Sequence, residues 1–199
     1  MSNRSHVIVV LNGGSSSGKT LTAQALVKLL NSNCILTGFD DIMERDQPFD
    51  VEGTGTLASI RRAIKIMLFQ LTDGRLKLFK KLHQEVVSAY QSGYSVIVET
   101  SLMDQRALRD AAICFSPFNA LFVGMKPPLE VSEQWEAKRN DRPIGQARKH
   151  YDLIHSTAIY DLTLDPSLMS PEECAASILN YLNESRSGSF QKILEGMTE

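Results

Sequence analysis

The sequence predicts an α/β domain of about five parallel strands with helices on both faces. Three observations predict it. Short runs rich in valine and isoleucine, such as Val7-Ile8-Val9-Val10-Leu11 and Val96-Ile97-Val98, suit strands buried on both faces of a sheet. Segments with apolar residues at helical spacing alternate with those runs along the chain. No internal repeat or low-complexity linker interrupts the alternation.

Taken in order, His6 to Leu11 is the first strand. A glycine-serine loop follows, then a helix in which Leu21, Ala25, Leu26, Leu29 and Leu30 share a face, with Asn31 and Asn33 as stop signals. Cys34 to Thr37 forms a second strand. Gly38-Phe39-Asp40-Asp41 follows it, with Asp40 or Asp41 placed to cap a brief helix from Ile42 through Arg45. Pro48 to Thr56 is a polar loop. Residues 58 to 71 carry both helical and extended character, and Asp73-Gly74 fits either a hairpin turn or a break between helices.

Leu78 to Gln91 reads as a helix stopped at Gly93. Tyr94 to Glu99 is a third strand, Asp104 to Phe115 a helix and Ala120 to Met125 a fourth strand. Pro128 opens a helix to Lys138. The polar segment Arg139 to Gly145 leads into a helix from Gln146 to about Tyr160, and Leu162 to Leu164 is the last strand. Ser170 and Glu173 have capping-box spacing ahead of an inward stripe of Cys174, Ala175, Ile178, Leu179 and Leu182. Residues 184 to 199 read as a tail, frayed at first, with a weak helix over Phe190 to Leu194. The expected domain therefore spans residues 1–183.

Composition narrows the function classes. With 21 basic and 23 acidic residues among 199, a formal charge of -2 supplies no global positive field for a polyanion, so nucleic acid is not the expected partner. The apolar runs fall far short of the roughly 20 residues of a membrane-spanning helix, and no secretory leader is evident. Neither a membrane nor export is expected, and the cytoplasm is the expected compartment. Cys34, Cys114 and Cys174 lack any paired spacing, which suits a reducing compartment and small buried apolar roles rather than a zinc site.

Gly13-Gly14-Ser15-Ser16-Ser17-Gly18-Lys19-Thr20 satisfies G-x-x-x-x-G-K-[ST] between a buried strand and an amphipathic helix. Glycines let successive N–H groups and the helix N-terminus converge on nucleotide phosphates. Lys19 would hold the β and γ oxygens, and the Thr20 hydroxyl would coordinate Mg²⁺. A GTPase would carry a base-reading Asn-Lys-x-Asp stretch, which the sequence lacks. Glu99, at the end of a buried strand, is a second magnesium candidate, its alternative being a helix cap or a strand-end salt bridge. Arg139 and Arg142, in a loop with Pro143 and Gly145, have the composition of a lid at about 139–146 that stabilises a moving phosphoryl group. Asp40 and Asp41 lie just past a strand, where ligands meet open α/β sheets. A carboxylate there can take the proton of an attacking hydroxyl, but spacing does not rank the two.

These residues resemble the chloramphenicol phosphotransferase-like P-loop kinases. The likeness rests on Leu11 to Thr20, Gly38-Phe39-Asp40, the strand ending at Glu99, Val123-Gly124, and Arg139-x-Asp141-Arg142. It continues through Gly145, His155, Tyr160-Asp161 and Asp165. It implies a P-loop kinase fold with a mobile lid, and transfer of the ATP γ-phosphate, with Mg²⁺, to a hydroxyl of a small molecule. It favours Asp40 over Asp41 as the general base, and supports Arg139 and Arg142 as lid arginines. Glu99-Thr100 stands where the antibiotic-modifying member has two aspartates. Residues 43–92, which would build the acceptor region, match poorly. Met43, Phe49, Met67, Phe69, Phe79 and Tyr90 in that region read individually as core, as does Trp135. The alternatives are a nucleoside or nucleotide kinase, with Arg61 and Arg62 on the acceptor's phosphates, and a nucleotide-binding regulator that transfers nothing.

Overall fold

The computed structural model describes residues 6–30, 33–46, 54–71, 73–138, 144–184 and 188–196. Its centre is a five-stranded sheet in the order β2-β3-β1-β4-β5. The strands are β1 (Ile8–Gly13), β2 (Cys34–Gly38), β3 (Ser95–Thr100), β4 (Ala120–Met125) and β5 (Leu162–Leu164). Every pairing is parallel. Alternation along β1 divides the core. Ile8 and Val10 face one side with Val96, Val98 and Phe122, whereas Val7, Val9 and Leu11 face the other with Ile97, Leu121 and Val123.

The second side is closed by α1 (Lys19–Leu30) and α8 (Pro171–Glu184). The expected stripe on α1 is only partly the buried one: Leu21 and Leu29 are 59% and 42% exposed, and Thr22, Ala23, Ala25 and Leu26 face inward. Small side chains there let α8 approach closely with its own Cys174 and Ala175. The capping box at α8 is present. Glu173 N–H donates to Ser170 Oγ at 3.2 Å, and Ser170 N–H donates to Glu173 Oε2 at 2.7 Å. Of the cysteines only Cys174 is fully buried; Cys34 and Cys114 are half-buried, short of the buried role expected of them.

The first side holds α2 (Phe39–Asp46), α4 (Gly74–Gln91), α5 (Gln105–Phe115) and α9 (Ser189–Gly196). Asp73-Gly74 is a break between helices, not a hairpin: residues 56–71 form α3 (Thr56–Leu71), and Asp73 turns the chain in the left-handed region at φ 54°. Gly74 is required there because the Phe69 ring occupies the space a Cβ would fill. Two further helices, α6 (Leu129–Ala137) and α7 (Gln146–His155), pack on each other, and α7 stops at His155, short of Tyr160.

The expected tail is not a tail over residues 189–196. Phe190 and Ile193 of α9 are each 2% exposed, and Phe190 stacks on Phe122 of β4 at 4.9 Å. Asp161 secures the helix. Its Oδ1 accepts the Gly188 and Ser189 N–H groups at 2.8 and 2.9 Å, and its Oδ2 accepts Phe122 N–H at 2.8 Å. Burying two such side chains contributes about 1.5–3 kcal/mol each, which explains why the segment joins the core.

Candidate active site

The chain leaves β1 for β2 on one side, then crosses from β3 to β4 on the other, so the strand order reverses at β1. Ligands bind at the carboxyl ends of the strands beside such a switch point, and the loop 14–18 lies there. Its backbone is set by position-specific sterics. Ser16 and Gly18 have φ of 57° and 83°, and a Cβ on Gly13 would sit 2.7 Å from the Met125 carbonyl. Gly18 also faces Pro166, 3.0 Å from where its Cβ would be.

Lys19 opens α1 and turns back over the loop. Its Nζ donates to the carbonyls of Gly13 at 2.9 Å and Gly14 at 2.6 Å, and to Ser17 Oγ at 3.3 Å. The buried hydroxyls of Ser15 and Ser16 have no hydrogen-bond partner among the described residues. Unpaired buried donors around an ammonium group fit a polyphosphate, whose oxygens would satisfy them. Thr20 Oγ1 donates to Glu99 Oε1 at 2.7 Å, so the two magnesium candidates touch each other at the mouth of the loop. A hydroxyl and a carboxylate are hard oxygen donors of the kind Mg²⁺ takes beside phosphate.

A cleft of about 1060 Å³ runs from this loop across Gly38, Phe39, Asp40, Asp41, Met43 and Phe79 to Trp135 and His150. Asp40 and Asp41 both lie in the first turn of α2, inside the helix rather than ahead of it, so neither fills the capping position expected before Ile42. Both line the cleft. Trp135 and Met43 line it too, and Phe79 serves both core and cleft. Met67, read as core, is 52% exposed. Arg61 and Arg62 are exposed on α3 and are not among the lining residues. Arg139 and Arg142, as well as Phe49, lie outside the described residues.

Four features escape a reading of the sequence. Asn12, fully buried, donates from Nδ2 to the Tyr160 hydroxyl at 2.9 Å and accepts Leu102 N–H at 2.8 Å. Tyr160 in turn meets His155 Nδ1 at 2.8 Å. Burial first, then Lys126 and Lys19, pushes His155 down to about 4, so the ring is neutral at pH 7; burial raises the Tyr160 phenol. The chain joins the start of the phosphate loop to the end of α7. Gly124 permits it, because a Cβ there would lie 2.7 Å from the Tyr160 ring.

Glu136 is the second feature. It is 1% exposed on α6 and accepts Gly145 N–H at 2.7 Å and Ala147 N–H at 2.9 Å. It fastens the far stem of the expected lid to the helix that precedes the lid. Arg75 and His150 are the third and fourth, both in the wall of the cleft. Asn12, His155 and Tyr160 carry the family resemblance but no role in it, and Glu136, Arg75 and His150 become neighbours of the site through long-range packing.

Comparison with known proteins agrees with this architecture. A sugar kinase from Janibacter sp. superposes with a TM-score of 0.64 at 18% identity, covering 90% of this chain and 95% of that one. Shikimate kinase from Acinetobacter baumannii gives 0.58 at 14% identity, covering 90% and 94%. These likenesses show the P-loop kinase fold. A Mycobacterium tuberculosis protein with a provisional O-phosphotransferase name is 27% identical over 183 residues, covering 86% of this chain and 80% of the relative. Residues 6–183 match the family of chloramphenicol phosphotransferase-like proteins, and with a nucleotide-type phosphate loop at its switch point this chain belongs to that phosphotransferase family.

Proposed function

We propose that the protein moves the γ-phosphate of ATP to a hydroxyl of a small molecule. One observation carries the reading: the phosphate loop and Asp40 line the same cleft, with room between them for an acceptor. Gly13, Gly14, Ser15, Ser16, Ser17, Gly18, Lys19 and Thr20 would hold the nucleotide. Thr20 and Glu99 would hold Mg²⁺, which when bound neutralises charge on the β and γ oxygens. Asp40 would take the acceptor's proton, and Lys19 with Arg139 and Arg142 would stabilise the equatorial oxygens of the transferring group.

Expected partners are thus a hydroxylated small molecule and ATP, and the ATP-rich cytoplasm suits the activity. Chloramphenicol is one acceptor to test rather than the assumed substrate. Among the described residues no helix is long and apolar enough to cross a membrane.

The experiment is ADP release from Mg·ATP against a panel of hydroxylated compounds, chloramphenicol included, with Asp40→Asn in parallel. The variant should bind ATP normally and lose about 10²–10⁴ in kcat with the active acceptor. Full kcat in the variant would remove Asp40 from the role. Nucleotide binding with no acceptor-stimulated turnover anywhere on the panel would favour a non-catalytic regulator.

A further inference from the structure

We infer that the acceptor carries an oxyanion, carboxylate or phosphate-like, which seats on Arg75 while its hydroxyl faces Asp40. This rests on the phosphotransferase reading of the cleft. The guanidinium of Arg75, from the first turn of α4, lies 4.8 Å from the centre of the Phe39 ring and 6.0 Å from that of Phe79. Those two rings are themselves stacked at 4.1 Å and nearly buried, at 8% and 3% exposure, so the support is rigid. A guanidinium lying on a ring keeps its N–H edges free in the plane, turned outward for a planar acceptor.

Among the described residues Arg75 forms no hydrogen bond or ion pair. Burial lowers its pKa, and the one charge that opposes this is Asp40, acting at a distance. A partly desolvated cation with five unused donors contributes little to stability and much to anion capture. The neighbouring groups support the same ligand. His150 lies close enough to Arg75 and Lys149 for both to depress it, after burial, and so offers a neutral ring beside the guanidinium. Lys138 adds a cation at the rim.

The position is as informative as the chemistry. Phe39 and Asp40 are consecutive on α2, so the residue that supports the arginine is covalently adjacent to the proposed base. Lys19 and the phosphate loop serve the donor phosphates, leaving Arg75 on the wall of α2 and α4. An acceptor with its hydroxyl and its anionic group at opposite ends would be held at both.

The test uses the whole chain saturated with Mg·ADP, so that the phosphate loop is filled, and reads quenching of Trp135, the single tryptophan and a residue of the same cleft. The probes are para-(hydroxymethyl)benzoate, para-(hydroxymethyl)phenylphosphonate and the methyl ester of the benzoate. At least one anion should bind about ten- to a hundredfold more tightly than the ester, and which of them does so separates a carboxylate from a phosphate-like ligand. Arg75→Gln should erase that preference, and Arg75→Lys, which keeps the charge without the fork, should retain part of it.

Equal binding of anions and ester, binding of none of them at millimolar concentration, or a preference that survives Arg75→Gln would each overturn the assignment. So would an Arg75→Gln effect confined to ATP binding, or a uniform fall in kcat at unchanged acceptor affinity, which would make Arg75 a positioning residue for Asp40. Because this readout needs no turnover, failure of every compound to release ADP would count against phosphoryl transfer and leave the binding comparison standing.

Discussion

The two walls of the cleft are built by different means. On the phosphate side, β1 runs buried between β3 and β4, with Gly13 wedged against Met125 and Asn12 fully buried. On the acceptor side the lining comes from α2, which packs on the edge strand β2, and α4, which packs on β3, with α3 packed behind on α4. There α3 keeps Leu57, Ile60, Ile64, Met67 and Leu68 largely in solvent. The wall that meets the invariant part of the chemistry, a polyphosphate, is set by local backbone geometry. The wall that must suit one acceptor is set by side chains from separate helices.

The sharpest way to break this division is Lys19→Ala. The substitution removes the ammonium group that turns over the loop and should lower kcat about 10²–10³-fold for every acceptor alike, measured by ADP release. An effect that varied from acceptor to acceptor would mean that the phosphate wall also reads the substrate. Next in size is a paired stability measurement. Phe190→Ala should cost about 3–5 kcal/mol in denaturant unfolding, whereas Leu57→Ser on α3 should stay within about 0.5 kcal/mol. A large loss at Leu57 would show that α3 is packed in solution.

The smallest effect is a pH slope. His155 is held at about 4, below its ordinary 6.5, so as pH falls through that window the unfolded chain binds a proton that the folded chain refuses. Stability should therefore drop between about pH 6.5 and 4 and then level off. His155→Gln should flatten that part of the curve relative to the parent. An unchanged slope would mean that burial beside Lys126 and Lys19 does not hold the ring neutral.

Legibility in the sequence followed the same boundary. The strands, the phosphate loop and the capping box at Ser170 were readable because each depends on neighbours a few positions away: alternation, glycine at a left-handed turn, a hydroxyl three residues before a carboxylate. Residues 58–71 were ambiguous for a physical reason. Their apolar side chains recur at helical spacing yet bury little, so periodicity had no core to refer to. The inward face of α1 was read only in part, Ala25 and Leu26 correctly and Leu21 and Leu29 not, because large leucines outrank small residues in any hydrophobic pattern while Thr22 and Ala23 suit a close helix contact. Arg75, His150 and Glu136 take their settings largely from other elements: Phe39 of α2 for Arg75, Arg75 of α4 for His150, and the N–H groups at the start of α7 for Glu136.

The anchorage of α9 by Asp161 bears on how the protein should be handled at the bench. The family resemblance ends at residue 183, and a coding segment trimmed to that boundary looks complete on paper. Such a piece would keep every phosphate-loop residue while leaving Phe115 and Phe122 without the ring that packs on both of them. It would also leave Oδ1 of Asp161 without the two N–H groups it accepts. The recognisable pattern is thus shorter than the packed unit, and expression boundaries are better drawn after residue 196 than at the end of the resemblance.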